Sequence, residues 1–132
     1  MSKSALYMVN STTTPVAAGG LIPLGTITRR VGTAIRSYGD AITFLEPGYY
    51  EVHVNTTVQP DAADPITLTV RENDTALPGA TVTATPATIG DSTPLQIPDA
   101  VVRVFCWSVK TLTFVLSAAA TVTNAAVTIV KV

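Results

Sequence analysis

Residues 50–58, Tyr-Glu-Val-His-Val-Asn-Thr-Thr-Val, alternate between two classes of side chain with a period of two. The even-numbered positions are apolar apart from one threonine, whereas the odd-numbered positions are Glu51, His53, Asn55 and Thr57. Successive side chains of a β-strand point to opposite faces of a sheet. The stretch therefore predicts a long strand with one face in a hydrophobic core and one polar face.

The same alternation recurs along the chain. Residues 66–71 repeat it, the turn-forming residues 72–75 follow, and residues 81–84 resume an extended run. This order predicts a hairpin whose second arm bends at Pro78-Gly79. Further strand candidates are residues 5–9, 22–30, 41–45, 95–97, 101–109, 111–116 and 126–132. We find no convincing segment with the 3.6-residue period of an amphipathic helix.

Prolines and glycines separate these segments. Nearly all of the 9 prolines and 8 glycines lie at the joints, as in Gly19-Gly20, Pro47-Gly48 and Thr93-Pro94. Many short strands without helices predict an all-β sandwich, barrel or jelly roll. Because 132 residues suffice for one hydrophobic core but not for two, we expect a single domain over residues 1–132.

The composition predicts a protein with a partner surface. Hydrophobic residues make up 47% of the chain and charged residues only 13%, with a net charge of -1 and a mean hydropathy of +0.40. A near-neutral chain has no basic face for nucleic acid or an anionic membrane. Soluble monomers limit contiguous apolar surface, so we expect an oligomer. No apolar run approaches a membrane span of about 20 residues, so we expect no insertion into a membrane. The first residues do not resemble a secretory signal, so we expect the protein to be synthesised in a cytoplasm.

The sequence offers little chemistry for catalysis. It contains one histidine, His53, and one cysteine, Cys106, which supply no zinc-type cluster. No nucleophile motif accompanies His53, which we interpret as a polar-face residue of its strand. The loop carboxylates lack the spacing of a calcium loop, so we interpret them as turn residues: Asp61, Asp64, Asp74 and Asp91. We expect no enzyme activity, no catalytic residue, no metal and no cofactor.

Residues 101–109 form the most apolar strand candidate. Its pattern indicates apolar residues on both faces and a buried Cys106 thiol, while Arg103 would need a partner carboxylate or a path to solvent. A strand of this kind suits a sandwich interior or a subunit interface. Arg29, Arg30 and Arg36 form the one cationic cluster, which we interpret as a solvated rim rather than a docking site for an acidic partner.

The order of these pieces resembles the trimeric jelly rolls related to tumour necrosis factor and the complement globular heads. The resemblance rests on residues 22–30, on residues 42–52 with their Gly48-Tyr49-Tyr50 corner, on the hairpin 70–82 and on the closing residues 124–131. Over nearly its full length the chain resembles small jelly-roll proteins encoded in phages and prophages, which are thought to be virion surface components. The resemblance implies an antiparallel jelly-roll β-sandwich of about eight to ten strands.

The resemblance also implies a homotrimer in which each subunit buries a sheet edge and an apolar face against the next. We expect the interface to involve residues 101–107 and 111–116, with aromatic residues as anchors: Tyr49, Tyr50, Phe105, Trp107 and Phe114.

The leading hypothesis is therefore a non-enzymatic virion structural protein, a trimeric capsid decoration or head-fibre module. It would bind the major capsid protein or another virion protein and reach the virion surface after synthesis in the bacterial host cytoplasm. The alternative is a receptor- or glycan-binding head of a phage fibre or bacterial surface protein, with Thr/Asn-rich loops that contact a host-surface glycan.

Overall fold

A computed structural model describes residues 3–106 and 109–132 of the chain. Within these ranges the chain forms eleven strands: β1 (Ala5–Asn10), β2 (Thr14–Val16), β3 (Thr26–Val31), β4 (Ile35–Tyr38), β5 (Ala41–Phe44), β6 (Gly48–Pro60), β7 (Ile66–Glu72), β8 (Thr75–Ala84), β9 (Thr93–Val104), β10 (Lys110–Leu116) and β11 (Ala120–Lys131). No helix that could cross a membrane occurs in this part of the chain.

The strands form two antiparallel sheets. The first sheet has the order β3-β1-β11-β6-β9, with β2 paired to one end of β11, and the second has the order β4-β5-β10-β7-β8. The last strand, β11, lies between β1 and β6. The prediction of an all-β, antiparallel jelly-roll sandwich is confirmed.

The core lies between the two sheets and follows the alternation seen in the sequence. Strand β6 buries every second residue over most of its length, beginning with Tyr50 and Val52. From the second sheet, Phe44 stacks on Tyr50 with 4.3 Å between ring centroids. Phe114 is also fully buried. Aromatic and β-branched side chains from both sheets thus fill the interior.

The predicted hairpin is confirmed and joins β7 to β8. Asn73 and Asp74 form its tip with φ values of 49° and 68°, the conformation of the tight turns that match strand twist. The β7–β8 register shifts between Thr69 and Arg71. Gly79, at a φ of 80°, marks the expected bend in the second arm.

The structure differs from the expected strands in several places. The short strands β2 and β4 were not predicted, because three or four residues are too few to display a period. The candidate 22–30 begins as a loop in which Ile22 and Leu24 are nevertheless buried, and the strand starts only at Thr26. Residues 95–97 and 101–104 belong to one strand, β9, which ends at Val104 rather than at residue 109.

Candidate interaction face

The two sheets present different surfaces to the outside. The outer face of the second sheet is rich in threonine, and its hydroxyl groups pair across strands. The Oγ1 atoms of Thr67 and Thr83 are 2.8 Å apart, and those of Thr43 and Thr111 are 3.4 Å apart. Arg71 on the same face donates from Nη2 to the Asp74 carbonyl oxygen at 2.7 Å. Such a face satisfies its polar groups internally and with water.

The outer face of the first sheet carries an apolar row instead. The row crosses the five neighbouring strands of the sheet, with one residue from each. In order, these are Val31 of β3, Ala5 of β1, Val130 of β11, Glu51 of β6 and Val101 of β9. Val31 is 59% exposed, Val101 is 53% exposed and Val130 is 38% exposed. Val31, Ala5 and Val130 form an apolar segment of this row, and Glu51 separates that segment from Val101.

An apolar hollow lies at the β3 end of this row. It has a volume of about 570 Å³, and its lining includes Ala5, Val31, Val130 and Val132. We call three features together the apolar face: this row, this hollow, and the edge at which Tyr49 and Phe105 flank Arg103.

At the β9 end of the row, two exposed aromatic rings flank an arginine. The guanidinium carbon of Arg103 lies 4.2 Å from the ring centroid of Phe105 and 5.6 Å from that of Tyr49. Phe105 is 49% exposed and Tyr49 is 50% exposed. Arg103 therefore reaches solvent over aromatic rings by cation–π contact.

Strand β3 contributes an edge that no other strand covers. All its residues are exposed, and in the sheet order it lies at the end, next to β1. Ile27, 39% exposed, adds to the apolar surface. The expected cationic cluster is divided, since Arg29 and Arg30 lie on β3 whereas Arg36 lies on β4 of the second sheet.

The structure separates the expected interface residues into three groups. Tyr49 and Phe105 are exposed at the edge of the first sheet. The assignment of Tyr50 and Phe114 to the interface is wrong for these side chains, because both have zero exposure inside the subunit. Trp107 lies outside the described residues. Val31, Val101 and Val130 were not singled out from the sequence, although Val101 lies between the buried Ala100 and Val102, which indicated an outward side chain.

The Gly-Tyr-Tyr corner has a structural role centred on Tyr50. Its hydroxyl donates a 2.6 Å hydrogen bond to the Glu46 carbonyl oxygen. Burial raises the pKa of Tyr50, and the nearby Glu46 carboxylate raises it further. Lys131 Nζ lies 3.0 Å from Glu46 Oε1 and ties the end of β11 to this corner.

A polar patch interrupts the apolar face at His53. The side chains of Glu51, His53 and Asp99 lie together, with their ligand-type atoms within 4.8 Å of one another. Beside them is a hollow of about 360 Å³ whose lining includes Tyr7, His53, Asn55 and Gln96. His53 lies on the polar face of its strand, as predicted, but the proximity of Asp99 was not.

Cys106 corrects a further expectation. The sequence indicated a buried thiol in the most apolar strand, whereas the structure exposes Cys106. The reason is that β9 ends at Val104, two residues earlier.

Comparisons with known proteins reveal similarity in structure rather than in sequence. No family model matches the chain, and no curated protein matches it in sequence. Murine APRIL at pH 5.0 superposes with a TM-score of 0.74 at 15% identity, covering 98% of this chain and 99% of that one. The globular domain of zebrafish complement 1qA superposes with a TM-score of 0.72 at 10% identity, covering 98% and 96%.

A virus protein has a similar fold. The PRD1 vertex protein P5 superposes with a TM-score of 0.66 at 17% identity, covering 98% of this chain and 73% of that one. The resemblance to the jelly rolls related to tumour necrosis factor and the complement globular heads is thus confirmed at the level of the fold.

Proposed function

We propose that this chain is a non-enzymatic structural protein of a phage virion, which acts as a homotrimeric capsid decoration or head-fibre module. The proposal treats residues 1–132 as one jelly-roll domain. The observation that carries it is the apolar face, which lies on one sheet while the opposite sheet has a hydroxyl-rich surface.

The apolar face is suited to contact with further copies of the chain. Resemblance to the trimeric jelly rolls implies that each subunit buries a sheet edge and an apolar face against the next. Val31, Val101 and Val130 provide an apolar surface, while Tyr49 and Phe105 provide aromatic anchors at the β9 edge. Trp107 remains a predicted anchor. A heterologous contact of this kind closes into a ring when the rotation between subunits is threefold.

A trimer with threefold symmetry would match threefold points of a capsid lattice. Binding to the major capsid protein or another virion protein would then depend on shape and on repeated weak contacts rather than on chemistry. The net charge of -1 and the 13% charged residues fit association through buried surface rather than through steering by charge. The fold similarity to the PRD1 vertex protein supports a place on the virion surface.

The test is the composition of purified virions. Virions banded in a density gradient should contain the chain in a fixed ratio to the major capsid protein, measured by quantitative mass spectrometry. Washing with salt should leave that ratio unchanged, because apolar contacts are not screened. Absence of the chain from banded virions, or a ratio that varies between preparations, would contradict the proposal.

A receptor- or glycan-binding head is the second candidate, favoured by Tyr38. Its ring is 73% exposed at the end of β4, next to Gly39 in the turn before β5. Exposed aromatic rings stack on sugars. Binding on a glycan array that Tyr38→Ala abolishes would support this function, whereas a flat array and unchanged adsorption of phage to its host would exclude it.

A further inference from the structure

We propose that Glu51, His53 and Asp99 form a binding site for a zinc-type divalent transition-metal ion on the outer face of the first sheet. The site was not predicted from the sequence, because Asp99 lies far from the other two residues in the chain. One subunit supplies all three ligands, although Glu51 also lies in the row that the proposed trimer would cover.

A β-bulge assembles the three side chains. Glu51 and His53 project from the same face of β6. In the β6–β9 ladder, Val52 pairs with Ala100 but Val54 pairs with Ile97, so both Pro98 and Asp99 oppose His53. An extra residue of this kind re-aims side chains. Here it places the Asp99 carboxylate beside the histidine.

The same bulge orients the imidazole ring. His53 Nδ1 is hydrogen-bonded to the carbonyl oxygen of Pro98, and a carbonyl can only accept, so Nδ1 carries the proton. A neutral ring then presents the lone pair of Nε2. Metal-binding histidines commonly have this arrangement, in which a backbone carbonyl fixes the tautomer of the ring.

A carboxylate oxygen lies near Nε2. Nε2 of His53 lies 4.0 Å from Oε2 of Glu51, and the ligand atoms of all three residues lie within 4.8 Å of one another. Two ligands of a tetrahedral zinc ion, each bonded at about 2.1 Å, are separated by about 3.4 Å. The distance of 4.0 Å between Nε2 of His53 and Oε2 of Glu51 is longer than this spacing, so binding of the ion would draw the two atoms closer together. The exposed Asp99 side chain would likewise have to approach the other two ligands from the 4.8 Å range in which it lies.

The charge of the patch also favours a cation. Among the described residues, no lysine or arginine forms a salt bridge with Glu51 or Asp99. With a neutral imidazole the patch carries two negative charges at short range, which a divalent ion would neutralise. The imidazole favours zinc and its neighbours in the transition series over calcium or magnesium, which prefer oxygen ligands alone. Three protein ligands leave a fourth position for water or for a donor from a bound molecule.

The test is a Zn²⁺ titration of the untagged full chain at pH 7.5 against a fluorescent zinc chelator. We expect one ion per chain, not displaced by Ca²⁺ in millimolar excess. His53→Gln and Asp99→Asn should each weaken binding at least tenfold. The matched control is Asp64→Asn, which removes an exposed loop carboxylate elsewhere and should change the affinity less than twofold. Circular dichroism verifies that every variant is folded.

A second measurement identifies the ligand atom. His53 is the only histidine, so its ring nitrogens are assigned without ambiguity in a ¹⁵N NMR spectrum. Zinc should shift the Nε2 signal and leave the proton on Nδ1. No binding at 1 mM Zn²⁺, binding that survives His53→Gln, or an unshifted Nε2 signal would each overturn the proposal.

Discussion

Replacement of Val130 by lysine should dissociate the trimer while leaving the subunit folded. Val130 lies at the centre of the apolar row, opposite Glu51. A lysine there can pair with Glu51 across the strands in the isolated subunit, and such pairs contribute about 0.2–1 kcal/mol. The free energy of unfolding of the subunit should therefore change little.

The substitution should instead weaken the association of the subunits. Val130 keeps 38% of its surface exposed in the subunit. Burial of this exposed part in an interface contributes up to about 1 kcal/mol. Desolvation of the ammonium group adds at least about 1 kcal/mol more. A loss of about 2 kcal/mol in each of the three subunits weakens the dissociation constant roughly 10⁴-fold. The dissociation constant of a trimer has units of concentration squared. The protein concentration at which half of the trimer is dissociated should therefore rise roughly hundredfold.

The assay is light scattering coupled to gel filtration over a dilution series, with circular dichroism as the test of folding. The matched control is Val115→Lys, which places the same side chain on the outer face of the second sheet, where Val115 pairs with Thr69. The control should keep the mass of the wild type at every concentration. A folded Val130→Lys variant with an unchanged dissociation profile, or dissociation of the control alone, would refute the reasoning.

Three further predictions concern the subunit. Gly25→Ala should lower the free energy of unfolding by at least about 2 kcal/mol in urea titrations, since a Cβ there would lie 2.2 Å from a backbone oxygen at a φ of +74°. Gly39→Ala, at a φ of +54° with no atom within 4 Å of the added Cβ, should lower the free energy of unfolding by only about 1 kcal/mol. Equal losses for the Gly25 and Gly39 variants would contradict this reasoning. Phe114→Ala should cost about 3–5 kcal/mol in the same titrations, because the ring is fully buried; a loss below about 1 kcal/mol would show that the ring is not in the core. Burial and Glu46 raise the pKa of Tyr50 above 10.0, so its contribution to stability is complete below pH 10 and disappears as the pH rises through the higher folded-state pKa. Unfolding free energies measured from pH 9 to 12 should therefore fall less steeply for Tyr50→Phe than for the wild type, and parallel curves would contradict the assignment.

In β6 and β10, the alternation in the sequence was sufficient to predict which face of the strand enters the core. In β6, Val52 and Val54 are in phase with Tyr50, and all three are buried. The same phase places Phe114 between the buried Leu112 and Leu116. The two wrong interface residues therefore had an available signal, because alternation assigns their side chains to the core.

Other features depend on contacts between segments that are distant in sequence. The Asp99 carboxylate reaches His53 only through the register shift between β6 and β9, which neither strand reveals alone. Ile22 and Leu24 are buried in a loop because the Ile22 amide donates to the Phe114 carbonyl and the Leu24 amide donates to Asp40. Such bonds replace a strand ladder without altering the local pattern of apolar residues.

The mass of the protein in solution tests the central claim most directly. Light scattering across a dilution series should give a stable species of three times the chain mass of 13.7 kDa. A monomer at every concentration would mean that the apolar face has no partner of its own kind, and it would contradict the proposed trimer.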